Sequence, residues 1–421
     1  MKPLALESFT LANGLRVALH PRRDLPIVCL TIAYNVGSKD ETPGRTGFAH
    51  LFEHLMFDGS ANVPRGQFDR LCEAAGGHNN AYTHEDKTVY YMMLPAHQAE
   101  LGLWLESDRL LALGLTEEGF ETQRSVVMEE KLQRVDNQPY GAWETRMSEL
   151  LYPGHPYGHP VIGSMEDLAA ATIEDVADFH RAYYRPDNAA LVLAGDFDTD
   201  HIARQVERWF GPIPSGTPRE RIPLNGGAPA ERARETTPDA VPLPGVFLGW
   251  RIPPERDDAF PAADLVSDVL GSGDTSRLHN VLVHERRIAD QASAFVDARR
   301  GDSMLVAYAS ATQGVDAPTL EDALRGEIAR LADKGVTDLE IRKLRNRVEA
   351  LTSQQLQSLH SCADRIAHHA LFDNDPAAVN AQLQRYLDVD AAKIREAARA
   401  LHDAGRDVAL HFIPDTREAA E

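Results

Sequence analysis

Two histidines and a glutamate stand close together in the stretch Gly47-Phe48-Ala49-His50-Leu51-Phe52-Glu53-His54-Leu55-Met56-Phe57. On an α-helix, turning about 100° per residue, Phe48, Leu51, Phe52, Leu55 and Met56 fall on one side as a buried stripe. His50, Glu53 and His54 fall on the other. Side chains four apart lie one above the other, so both imidazoles reach one metal ion. Glu53 sits beside that ion without having to bind it, and its carboxylate is free to take a proton from water. The plain alternative is a helix whose polar face happens to carry two of the chain's 17 histidines. A third ligand decides between them, because a catalytic zinc takes three protein ligands and keeps one position open.

The elements around this helix must position it. Residues 8–20 read as a hairpin turning at Asn13-Gly14, and Ile27 to Tyr34 as an apolar strand central in a sheet. Arg65 to Ala75 reads as a second helix. Gly76-Gly77 then opens a hairpin of β-rich strands through His78-Asn79-Asn80-Ala81-Tyr82-Thr83 and Lys87 to Met93. Its first strand is a candidate exposed edge for an extended peptide. Pro95 to Leu113 is an amphipathic helix. Thr116 is a candidate N-cap for the next one, whose first turn carries Glu117 and Glu118. That helix bears Glu129 and Glu130, about 100° apart, so at most one faces the site. An ordinary surface glutamate is solvated.

H-x-x-E-H is the reverse of the common H-E-x-x-H zinc-protease helix. Followed after 76 residues by Glu130, within Gln123-Arg124-Ser125-Val126-Val127-Met128-Glu129-Glu130, it resembles the pitrilysin/insulysin family of zinc metallopeptidases. The resemblance is nearest to the two-domain, mitochondrial-processing-peptidase-like members and covers nearly the whole chain. Gly44 to Ser60 looks like the family's metal helix and Gly77 to Tyr91 like its substrate-binding edge. Tyr152-Pro153-Gly154-His155-Pro156-Tyr157-Gly158 with Gly163 is similar to a family loop. Leu270-Gly271-Ser272-Gly273 with Ser276-Arg277-Leu278 is similar to the second-domain signature. By position, the resemblance implies one zinc ion per chain on His50, His54 and Glu130, with Glu53 as general base. It implies Asn80 and Ala81 as backbone contacts for a bound peptide and Tyr82 near the first pocket past the scissile bond. His155 and His159, also four apart, are separated by Pro156 and Gly158 and belong to a loop; His78 and His84 read as turn residues.

Two departures stand out. The family carries another glutamate two helical turns before the metal glutamate, and here that position is Gln123, a neutral neighbour of the site. Self-sufficient relatives also carry an arginine and a tyrosine after the Ser-Arg-Leu segment. This chain reads Leu278-His279-Asn280-Val281-Leu282-Val283-His284-Glu285-Arg286-Arg287-Ile288-Ala289-Asp290-Gln291, with no tyrosine. Loss of such oxyanion donors costs on the order of 10²–10³ in rate. The expectation is therefore a homologous partner subunit in a heterodimer, with a homodimer as the alternative. A non-catalytic subunit or a chaperone-like peptide binder are the readings outside hydrolysis.

The totals agree. With 64 carboxylates against 43 Lys and Arg, a net −21, the chain lacks the basic face of a nucleic-acid binder and suits cationic peptides. Three scattered cysteines imply no disulfide framework. No run reaches membrane-spanning length and no apolar leader opens the chain. The expectation is a cytoplasmic protein, or a periplasmic one if a signal has been removed. Residues 212–243 are rich in proline and glycine, including Pro218, Gly226, Gly227 and Pro229, and beyond them the order of elements repeats. The expected fold is α+β: two homologous α/β-sandwich domains, each a mostly antiparallel sheet packed with helices. Residues 1–212 would be the zinc domain, 213–243 a linker, and 244–421 a metal-free domain.

Overall fold

The computed structural model describes residues 2–217, 220–224 and 231–415; Pro218, Gly226, Gly227 and Pro229 of the expected linker lie outside the described residues. The chain forms two compact units. One comprises Met1–Lys131, Val161–Ile222 and Leu351–Gln382; the other comprises Leu132–Pro160, Pro223–Ala350 and Leu383–Glu421. They cut across the linear division at 213–243, because each unit takes a segment from the other's half of the sequence.

In the first unit, six strands form one sheet: β1 (Glu7–Thr10), β2 (Arg16–Pro21), β3 (Ile27–Tyr34), β4 (His78–Thr83), β5 (Thr88–Pro95) and β6 (Ala189–Gly195). Their order is β1-β2-β6-β3-β5-β4, parallel only at β2–β6. Side chains alternate between faces. Val28, Leu30 and Ile32 of β3 join the main core with Val17, Leu19 and Leu193; each such burial stabilises by roughly 1.5–3 kcal/mol. The opposite face carries small residues, Ala18, Cys29, Ala33, Ala190 and Ala194, against Cys362, Ala363, Ile366 and Ala367. Small side chains let the helix Leu359–Phe372 lie close, which is why 351–382 packs with the first unit.

The second unit repeats the plan. Its strands are β7 (Ala233–Asp239), β8 (Gly245–Ile252), β9 (Ala289–Asp297), β10 (Ser303–Ala311) and β11 (Val408–Pro414), in the order β7-β11-β8-β10-β9, parallel only at β7–β11. Each sheet thus has a single parallel pair, inside β1 in the first sheet and at the edge in the second, and an antiparallel edge strand, β4 or β9, at the opposite end. Phe260–Gly271 follows β8 as the His50 helix follows β3, and buries Ala262, Leu265, Val266 and Leu270; among the described residues none of its side chains belongs to a group of three that could hold a metal ion. Leu320, Leu324, Ile328 and Leu331 are buried as one stripe. Ile341, Leu344, Val348 and Leu351 are spaced as a second apolar stripe, yet only Leu344 of them is buried, and Leu351 is 38% exposed. The helix Asp338–Gln357 is charged around most of its circumference, so periodicity alone overstates its apolar face.

Candidate metal centre

The helix α1 (Phe48–Leu55) buries Phe48, Ala49, Leu51, Phe52 and Leu55 and leaves His50, Glu53 and His54 half-buried on its other side. Gly47 enters it with φ +87°, a left-handed conformation that glycine adopts without penalty. Gly163, at φ +75°, lies against Gly47 so closely that a Cβ there would fall 2.4 Å from the Gly47 nitrogen. The Glu41 carboxylate folds back to accept the N–H groups of Gly47 at 2.9 Å and Ala49 at 2.7 Å. It thereby satisfies orphan donors of the first turn and places a carboxylate at the positive end of the helix. Burial pushes this carboxyl well above the usual range, with those two N–H groups opposing. Behind α1, Phe52 packs on Tyr184 at 4.2 Å and on His180 at 5.7 Å between ring centroids.

The third expected ligand arrives on α2 (Glu117–Lys131), whose N-terminus is capped as expected: the Thr116 hydroxyl accepts the Gly119 N–H at 3.1 Å. Phe120 and Val127 are buried, Glu129 is exposed, and Glu130 turns to the histidines. Of the two adjacent carboxylates, the geometry selects Glu130. Gln123 does not reach the histidines; its amide donates to Asp58 Oδ1 at 3.3 Å, which also accepts from Arg65 Nε at 3.1 Å. A Cβ on Gly119 would lie 2.2 Å from Asp58 Oδ2, so the glycine allows α2 to approach Asp58. Gln123 therefore ties α2 to the end of α1.

Glu130 Oε2 lies 3.7 Å from His50 Nε2 and 3.4 Å from His54 Nε2. The imidazoles stand edge to face, 4.9 Å apart at 87°, and one donor atom from each of the three residues lies within 4.8 Å of the others. Donors about 2.0–2.2 Å from one tetrahedral ion sit roughly 3.3–3.6 Å from one another. The Glu130–His54 distance falls in this range and the Glu130–His50 distance just outside it, so this set of two imidazole nitrogens and one carboxylate oxygen would suit zinc, and three ligands would leave a fourth position for water.

Glu53 stands beside the trio. Burial pushes its carboxyl up to about 7, with Glu130 adding and a hydrogen bond from Thr83 opposing; a divalent cation at the trio would act against burial. The Thr83 hydroxyl donates to Glu53 Oε2 at 2.5 Å. Thr83 carried no sign in the sequence beyond its place at the end of the edge strand.

As expected, β4 is an edge strand. The Ala81 N–H is held by the Asn80 side chain at 2.8 Å instead of by β5. Thr83 faces α1, so the alternation of the strand turns Asn80 and Tyr82 to the opposite face. There the Tyr82 hydroxyl donates to Asp364 at 2.5 Å. Strand parity thus takes the Tyr82 side chain to the face of the sheet turned away from α1. His155 approaches the Leu224 carbonyl at 3.2 Å, in keeping with a loop residue.

An inverted histidine–glutamate pair with a distant glutamate, on a duplicated α/β sandwich, defines a class, and sequence comparison agrees. Residues 16–164 match the family model described as insulinase (peptidase family M16), and residues 170–348 match the M16 inactive domain. The chain belongs to the M16 peptidase family. It is similar to the zinc protease PqqE of Helicobacter pylori, 30% identical over 408 residues covering 95% of this chain and 90% of that one. It is also similar to a probable mitochondrial-processing peptidase subunit beta of Schizosaccharomyces pombe, 26% identical over 306 residues, 69% of this chain and 65% of that one. The crystal structure of a protease from Helicobacter pylori superposes with a TM-score of 0.91 at 28% identity, covering 98% of this chain and 100% of that one. Among the described residues, no helix is long and apolar enough to cross a membrane.

Proposed function

We propose that this chain is a zinc-dependent endopeptidase acting on extended peptides or unfolded segments, and that it forms the zinc-bearing subunit of a dimer. The observation that carries the reading is the meeting of His50, His54 and Glu130 beside Glu53, next to an open strand edge. His50, His54 and Glu130 would hold one zinc ion, which supplies Lewis-acid polarisation of water and of the scissile carbonyl. Thr83 occupies Oε2 of Glu53, so Oε1 accepts the proton as water oxygen bonds to the carbonyl carbon. Glu53 then delivers that proton to the amine nitrogen as the C–N bond breaks. A substrate strand pairs along β4 and takes the Ala81 N–H from the Asn80 side chain, which favours extended chains over folded proteins.

Glu53→Gln should keep the fold and lose at least about 10²-fold in cleavage of an unstructured peptide, and a chelator should abolish the wild-type rate. Cleavage by Glu53→Gln at the wild-type rate would refute the mechanism. The second unit lacks the arginine–tyrosine pair of self-sufficient relatives, which favours a heterodimer whose partner supplies those groups. A homodimer using other donors is the alternative, and mixing with a sister chain that lacks the metal motif separates the two by the rise in rate.

A further inference from the structure

On the face of the first sheet turned away from α1, the helix α3 (Leu359–Phe372) carries Asp364. Its mostly buried carboxylate accepts the Tyr82 hydroxyl at 2.5 Å and the Lys87 ammonium at 3.2 Å. Burial pushes this carboxyl up, but Lys87 and Tyr82 outweigh burial and hold it below the ordinary range. These two donors stand on the two limbs of one hairpin, Tyr82 near the end of β4 and Lys87 just before β5. The hairpin closes between them, with the His84 N–H bonded to the Lys87 carbonyl at 2.9 Å. Asp364 therefore grips both limbs at the tip. The next residue along β4 after Tyr82 is Thr83, which points the other way and donates to Glu53 at 2.5 Å. Because an edge strand is paired on one side only, its last residues are the first part of a sheet to open.

We propose that Asp364 is a positioning residue for Glu53. From behind the sheet it fixes the tip of the β4–β5 hairpin, and the hairpin holds the Glu53 carboxylate in place through Thr83. The assignment rests on the peptidase reading above only in giving Glu53 a proton to carry. It also gives the Tyr82 hydroxyl a task that phenylalanine could not perform.

The test has an arm that needs no catalysis. In the zinc-free protein, Asp364→Asn should raise backbone amide exchange at residues 80–84 about tenfold, with β3 and β6 unchanged as the check that the variant folds. In the zinc-loaded protein, Asp364→Asn and Thr83→Val should each lower kcat about tenfold without weakening zinc binding. The double variant should be no worse than either single one, since both break the same connection. Wild-type exchange at 80–84 in Asp364→Asn would overturn the proposal, as would a double variant whose loss is the product of the single losses. If the wild type cuts no peptide at all, the peptidase reading fails, and the exchange arm still decides whether Asp364 holds the hairpin.

Discussion

Acid should loosen the support behind the metal helix through one side chain, His180. Its ring stacks on Tyr184 and on Phe52 of α1. Its Nε2 is buried with no hydrogen-bond partner among the described residues. Burial lowers its pKa from 6.5 to about 4, with the Arg109 carbonyl opposing and Arg181 adding. A histidine whose folded-state pKa is depressed binds its proton more readily when unfolded. Its stability contribution is therefore complete above pH 6.5 and drains away as pH falls toward 4. The full difference is about 3 kcal/mol, from roughly 1.4 kcal/mol per pKa unit, and about 2 kcal/mol of it is lost by pH 5. His180→Phe keeps an aromatic ring against Phe52 and removes the titration. Denaturant unfolding of wild type and variant at pH 7.5 and pH 5 measures the effect. The variant should gain about 2 kcal/mol relative to wild type on going to pH 5. An unchanged difference between the two proteins at both pH values would refute the reasoning, because it would mean that His180 titrates normally in the folded chain.

Two further perturbations separate local causes. Gly163→Ala combines a positive φ with a Cβ 2.4 Å from the Gly47 nitrogen, whereas Gly44→Ala at φ +81° meets nothing within 4 Å. Gly44→Ala should therefore cost only about 1 kcal/mol and Gly163→Ala clearly more, read as the gap between their unfolding midpoints; equal midpoints would mean that the close approach is unimportant. Gln123→Glu restores the family's residue but brings a second carboxylate to Asp58, now 3.3 Å from the amide. It should destabilise by about 1 kcal/mol through like-charge repulsion; stabilisation instead would show that Arg65 absorbs the charge.

Much of the site was legible because helical spacing is a local code. His50, Glu53 and His54 share a face by arithmetic, and the apolar stripe of the same helix says which face is buried. Helical spacing alone left Glu129 and Glu130 both open and the family resemblance pointed to Glu130; the orientation of α2, which Phe120 and Val127 set by turning to the core, brings Glu130 to the histidines. The edge strand was legible as a strand, but its parity was not. Asn80, Ala81, Tyr82 and Thr83 are all compatible with either face, and only the position of Thr83 over Glu53 shows that Tyr82 turns away. Glu41 and Asp364 were missed for a different reason. Each acts across a turn or across the chain on groups that no sequence period links to it, and their carboxylates look like the other 62 acids until folding buries them. The exchange of segments between units was hidden likewise: the small side chains on one face of the first sheet are ordinary alanines until α3 lies on them.

The most direct measurement is zinc titration of the wild type, Glu130→Gln and Glu53→Gln, with bound metal counted per chain. Because loss of a group that merely orients a ligand costs roughly 10–100-fold in affinity, loss of a ligand itself should exceed about 100-fold. One zinc per chain is expected in the wild type and in Glu53→Gln with similar affinity, and Glu130→Gln should bind more than about 100-fold more weakly. Wild-type affinity in Glu130→Gln, or an equal loss in Glu53→Gln, would contradict a centre built from His50, His54 and Glu130 with Glu53 standing free beside it.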